Sequence, residues 1–506
     1  MTQSQPLWDE QSEQSKPTCA GRYGESQPNR KSADAAVSGE LMRKEIQLFP
    51  VGGANGTSLY VQIRASLPKG GPAGLFLGFV LYETIVLAVN QCFGTPSVSE
   101  MVTYMPIASS FVRLAGFCVD AALSFALGWN HFFLMAFNIL YEITAIHVLL
   151  TYWTDKVHVG AVCVLNGFMA KYFVISEFYM SIFKIFLMLG LMMYTFITMG
   201  AFVEDLVPGD TGRFLFLGLL SCMIQGSFTM VGPEFISMAA GEAENFGRLM
   251  GKAFSSFVWR LMFFFIDGTL CVGIVIPYND EMRVDIISDD REGSGTGAAF
   301  KYSSSYVILM IKFGIKGIPN LVNALIMTSV LSAGSVIFSA ARTLHGMALD
   351  GKAPSFLARC NRYGLPFYAV TIALLFCFVS PQQIGNTSSI VLSWFVGICT
   401  ASYLLNYFGT PYAAWYALVG TFLMALVLGY TVFIEEQWDT TMFFTSYTMV
   451  GFFVVASVGW KVVRRTRYVR IGEADLKLGT TKDEIDLYEA LYEKPRRGRV
   501  LGWLNG

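Results

Sequence analysis

Twelve apolar segments follow one another along this chain, at roughly 46–66, 73–94, 119–150, 158–175, 178–203, 213–240, 256–277, 318–347, 366–381, 388–408, 412–433 and 443–462. A helix needs about 20 residues to cross the hydrocarbon core of a bilayer, and all but the fourth and ninth segments reach that length. Only 14% of the 506 residues are charged, against about 25% in soluble domains. The expectation is an all-α membrane protein with about 12 transmembrane helices. With a net charge of −1, the chain has no overall field to gather nucleic acid.

The sixth segment carries the sharpest local signal. It is interrupted by Gly226, Gly232 and Pro233 and closes in the acidic run Glu234–Asn245. A bilayer offers no water to freed backbone groups, so a broken helix is tolerated only where it lines a cavity or touches protein. Transporters place such breaks at mid-membrane substrate sites. The first segment is also a poor helix, because it holds Pro50-Val-Gly-Gly-Ala-Asn-Gly-Thr-Ser58. Gly costs about 1 kcal/mol and Pro about 3 kcal/mol inside a helix. Either small residues pack helices closely there, or the first and sixth segments are broken together. Five positions separate them in helix order, the spacing of two inverted five-helix repeats.

Ionisable residues inside apolar segments are costly and by default face a cavity or a partner. Lys184 in the fifth segment either exchanges a proton or reaches back to the near interface. Glu142, deep in the third, either carries a proton or the substrate ammonium, or holds a broken helix by a hydrogen bond. Glu83 and Asp267 have no evident role from sequence. Glu242 and Glu244 are placed to form an inner gate with Arg248 or Arg342. The nine cysteines include no CxxC pair, and neither a Walker loop nor a dinucleotide fingerprint is present. No catalytic residue, metal or cofactor is expected.

Charge asymmetry predicts the orientation. Arg113, Lys171, Arg248, Lys252, Lys352 and the basic tail from Lys461 fall on one side, opposite Glu204, Asp205, Glu435 and Glu436. Both termini are then cytosolic. Residues 1–44 are polar with no apolar core and read as a disordered cytosolic tail. Residues 45–462 form the transmembrane domain, and 463–506 a cytosolic C-terminal tail.

Five strings, Glu100-Met-Val-Thr-Tyr-Met-Pro106, Ser124-Phe-Ala-Leu-Gly-Trp-Asn130, Ala240-Gly-Glu-Ala-Glu-Asn245, Ile276-Pro-Tyr-Asn-Asp280 and the run Arg342–Pro354, are specific when taken together. With them the chain resembles the fungal amino acid permeases of the amino acid–polyamine–organocation superfamily, from about Gln47 to Arg499. The resemblance implies a LeuT-like fold of two inverted five-helix repeats plus two helices, with helices 1 and 6 broken. It also implies a transporter rather than an enzyme, one that takes up amino acids with protons across the plasma membrane. By the family pattern, the backbone around Gly53, Gly56, Thr57 and Ser58 holds the substrate carboxylate, and Phe228, Thr229, Gly232 and Glu234 line the other side. Lys184 falls where related permeases place a lysine in lieu of a sodium site. The chain departs from the pattern at Asn55, Ser58 and Arg64 and in an insertion at 95–99. Two alternatives therefore stand beside uptake: a receptor that binds amino acids without transporting them, and a permease made defective by mis-splicing or a mis-predicted gene.

Overall fold

The computed structural model describes residues 63, 66–94, 110–150, 152–154, 173–198, 212–239, 256–275, 304–330, 334–359, 366–376, 388–407, 414–434 and 438–470. The first and fourth apolar segments lie almost wholly outside them. So do Gly53, Gly56, Thr57, Ser58, Glu242 and Glu244.

All regular structure among the described residues is helical. The helices are α1 (Leu67–Gly94), α2 (Ser110–Cys118), α3 (Ala121–Leu150), α4 (Phe173–Thr198), α5 (Gly212–Thr229) and α6 (Pro233–Ala239). They continue with α7 (Asp267–Val275), α8 (Ser305–Lys312), α9 (Ile318–Val330), α10 (Gly334–Leu349) and α11 (Phe367–Leu375). The last are α12 (Ser388–Asn406), α13 (Ala414–Val427) and α14 (Thr440–Arg464). A π-helical stretch, Leu261–Ile266, leads directly into α7. Six spans among the described residues are long and apolar enough to cross a membrane, by length and composition.

The pattern of burial is the reverse of a soluble protein's. Phe186, Phe196 and Ile197 on α4 and Val455, Val462 and Val463 on α14 are exposed, whereas Asn130, His131, Glu142 and Lys184 are buried. Apolar side chains face the lipid, and polar ones meet inside the bundle. Buried hydroxyls that would otherwise lack water bond back along their own helices. Thr144 reaches Leu140 O at 2.7 Å, Thr195 reaches Leu191 O at 3.0 Å and Thr400 reaches Val396 O at 2.6 Å.

Helix α3 is the centre of the bundle: 72% of its span is buried, against 17% for α14. It packs on α2, α10, α12 and α14. Its start is set by Asp120, whose Oδ1 accepts the Ala122 N–H at 3.0 Å, an N-cap arrangement. Helix α1 lies along α5, and small residues allow the approach. A Cβ on Gly78 would overlap Cys222, and one on Gly218 would overlap the backbone of Lys69 and Gly70. Near its start α1 is interrupted at Gly71, with φ of 65°, and Pro72 restarts the helix.

One end of the bundle is tied by charge. Arg113 on α2 pairs with Asp350 after α10 at 2.7 Å, and Lys352 reaches Asp350 at 3.2 Å and Ser124 Oγ at 2.7 Å. Lys461 on α14 pairs with Asp120 at 2.7 Å. The chain after α14 then folds back, and Val469 N–H donates to Val119 O at 2.9 Å.

Candidate functional site

Helix α5 stops at Thr229, residues 230–232 are not helical, and α6 begins at Pro233. Proline suits this first helical position, where its missing N–H would have had no partner. Gly226 reads from sequence as part of the interruption, but it stays within α5. Its carbonyl accepts Met230 N–H at 2.7 Å and completes the last turn. The chain turns at Gly232, where any Cβ would overlap the buried ring of Phe257.

Glu234 bridges the interruption. Its Oε2 accepts the Gly232 N–H at 3.2 Å and the Tyr407 hydroxyl, from just beyond α12, at 3.3 Å. The residue is 1% exposed, and its Oε1 has no hydrogen-bond partner among the described residues. Tyr82 on α1 and Tyr403 on α12 both lie within electrostatic reach of this carboxyl group. On the α5 side, Thr229 Oγ1 donates to Gln225 O at 2.9 Å and Gln225 Nε2 reaches Thr229 Oγ1 at 3.4 Å. Phe228 meets Tyr141 edge-on, with ring centroids 5.1 Å apart, and Tyr403 at 6.4 Å. Asn138 Nδ2 donates to the Tyr403 hydroxyl at 3.2 Å. The buried Glu142 is within electrostatic reach of Tyr403 and Cys399.

Phe228, Thr229, Gly232, Glu234 and Glu142 therefore gather around one interruption, from α3, α5 and α6. Lys184 is 1% exposed on α4, and the main neighbours of α4 are α7, α9 and α10. Arg342 on α10 is half-buried, with its guanidinium 5.3 Å from the centroid of the Phe338 ring.

Tyr82, Tyr403 and Tyr407 are not among the residues expected from sequence. Tyr403 and Tyr407 are four residues apart in an apolar run, which puts two hydroxyls on one helix face. That spacing was the available signal. A second polar cluster, also not expected from sequence, lies beside the site. Asn406 Nδ2 lies 3.0 Å from His131 Nδ1, His131 Nε2 lies 3.1 Å from Ser339 Oγ, and Asn130 Nδ2 donates to Asn406 Oδ1 at 2.9 Å. An amide nitrogen only donates, so Nδ1 accepts and His131 is the neutral Nε2–H tautomer, donating to Ser339. This chain of bonds ties α3, α10 and α12 together next to Tyr407.

Residues 45–410 match the family described as Amino acid permease. The chain belongs to the amino acid permease family. It is thus a multi-pass membrane transporter of amino acids rather than an enzyme. This permease is 35% identical to the general amino acid permease AGP2 of Saccharomyces cerevisiae, over 90% of this chain and 84% of that one. It is 29% identical to a proline-specific permease of the same yeast, over 91% and 80%, and 27% identical to the lysine/arginine permease CAN1 of Candida albicans, over 84% and 80%. Among solved structures, the permease is similar to a manganese transporter of Eremococcus coleocola, with a TM-score of 0.50 and 11% identity over 87% of this chain and 97% of that one. That likeness is one of fold alone: a helical, membrane-transporter architecture.

Proposed function

We propose that this permease imports amino acids together with protons across the plasma membrane, on a LeuT-like scaffold of twelve helices whose first and sixth members are broken. The observation that carries the reading is Glu234 spanning the α5–α6 interruption, buried and held by Gly232 and Tyr407. An interrupted helix with a buried acid and three tyrosines around it offers both backbone and side-chain groups to a zwitterion. In this reading Gly53, Gly56, Thr57 and Ser58 supply the facing backbone for the substrate carboxylate. Phe228, Thr229, Gly232 and Glu234 form the opposite wall.

Lys184 and Glu142 are the proposed proton-coupling groups. The burial of Lys184 supports that role over a reach to the interface. Glu242 and Glu244 with Arg342 are the proposed inner gate. The end bearing Arg113, Lys352 and Lys461 is read as cytosolic, with both termini on that side. Residues 1–44 and 463–506 are read as tails flanking a transmembrane domain over 45–462.

Radiolabelled amino acid uptake into a yeast lacking its own permeases tests the proposal. Uptake is expected to rise as external pH falls. A correctly localised protein that takes up no amino acid overturns it, and binding without accumulation points instead to a receptor.

A further inference from the structure

Glu83 lies midway along α1 and takes no part in the contacts around Glu234. It is 2% exposed, and among the described residues neither carboxyl oxygen has a hydrogen-bond partner. The packing of α1 against α7 indicates what it faces. A Cβ on Gly273, near the end of α7, would touch Pro72, near the start of α1, at 3.4 Å. The π-helical stretch that precedes α7 also packs on α1, so the two run antiparallel. Glu83 stands eleven residues beyond Pro72, about three helical turns, and thus on the same face. Eleven residues back from Gly273 is Met262, inside Leu261–Ile266. The buried side chains of that stretch are Leu261, Phe264 and Phe265, and none can donate a hydrogen bond. Single π-helical turns disturb the backbone ladder and recur at functional positions.

The titratable groups on the elements packed against α1 are engaged elsewhere. Cys222 on α5 points its thiol at Ser66 O at 3.6 Å, and Tyr416 on α13 shares a 2.7 Å hydrogen bond with Thr84. Ahead of α7, Arg260 bonds Ser256 at 2.9 Å, while Cys271 interacts with Thr195 and Asp267. Glu234 on α6 is held by Gly232 and Tyr407.

We propose that Glu83, set against the π-helical turn of the α7 arm, is a proton-carrying site of the transport cycle, separate from the amino acid site at Glu234. It rests on the proton-coupled reading above. A carboxylate buried without a partner, beside a stretch whose buried side chains are all apolar, is far costlier than the neutral acid. The α1–α7 seam therefore closes more readily over a protonated Glu83. When the α7 arm shifts and water reaches this face, the proton passes from the acid to water. Protonation from the other side reverses the step, and no other bond is made or broken.

The test uses the full chain in proteoliposomes, with a tritium-labelled mixture of the proteinogenic amino acids as probe. Wild type is expected to accumulate label when a pH gradient is imposed. Glu83→Gln is expected to retain exchange of label at equal pH but to lose gradient-driven accumulation. Glu83→Asp, which keeps a titratable group, is expected to recover it. Glu83→Gln accumulating label with the wild-type pH dependence overturns the proposal. So does loss of exchange in both variants, which marks Glu83 as structural. A wild type that exchanges label yet ignores the gradient removes the proton-coupled reading itself, and the role of Glu83 with it, and that outcome is visible before any variant is made.

Discussion

The Tyr407 hydroxyl donates to Glu234 Oε2 at 3.3 Å and so joins the end of α12 to the first turn of α6, across 173 positions of sequence. The same oxygen accepts the Gly232 N–H at 3.2 Å. Tyr407 thereby sets where the acid stands in the interruption.

Tyr407→Phe removes that donor and leaves Glu234 Oε2 with the Gly232 N–H alone. Such a loss costs about 1–3 kcal/mol, and on the proposed role it appears as weaker substrate binding of roughly tenfold. Uptake kinetics at matched surface expression measure it. An unchanged half-saturation concentration would show that the bond does not contribute to binding.

Gly232 is constrained from the other side. Its backbone turns against the Phe257 ring, where a Cβ has no space. Gly232→Ala must push that ring or the interruption itself, and overpacking of this kind costs about 1–3 kcal/mol. The expected result is a lower melting temperature in detergent together with reduced transport. Gly74, which meets nothing within 4 Å, supplies the control, since alanine there has space.

These two residues also show how much could be read in advance. The Gly232-Pro233 interruption is local chemistry, visible in two adjacent letters, and long apolar runs announce helices without any partner being known. For Tyr407 only its four-residue spacing from Tyr403 is visible in the sequence, because its role depends on α12 arriving beside α6. The same holds for His131, whose partners Asn406 and Ser339 lie 275 and 208 residues away. Hydropathy locates helices, but it carries no information on which polar residues meet inside the bundle.

The His131–Asn406 contact can be measured as a pair. Each side chain is fully buried, and removal of either leaves the other with an unmet group. We expect His131→Leu and Asn406→Leu each to destabilise the fold, and the double variant to lose less than their sum. Contacting pairs of this kind couple by about 0.5–3 kcal/mol. A thermal double-mutant cycle gives the value, and strict additivity would show that the two residues act independently.

Asp120 offers a pH-dependent prediction at the end of the bundle. It precedes the span Ala121–His147 and receives Lys461 from α14 at 2.7 Å. Burial pushes its carboxyl upward, but hydrogen bonds from Lys461 and the Ala122 N–H, with the Lys461 charge, hold it below the ordinary aspartate value. A group lowered in the folded state adds stability above its unfolded value, and that stability is lost as pH falls through the folded one. Docking of the chain after α14 is therefore expected to be full at neutral pH and to weaken below about pH 4. The Val469 amide, bonded to Val119 O at 2.9 Å, is the reporter. Its hydrogen-exchange protection, corrected for the intrinsic rate, is expected to fall in acid. In Asp120→Asn it is expected to be low already at neutral pH, because the charge that draws Lys461 is gone. Equal protection of Val469 in wild type and Asp120→Asn would show that the backbone bond holds this segment without the ion pair.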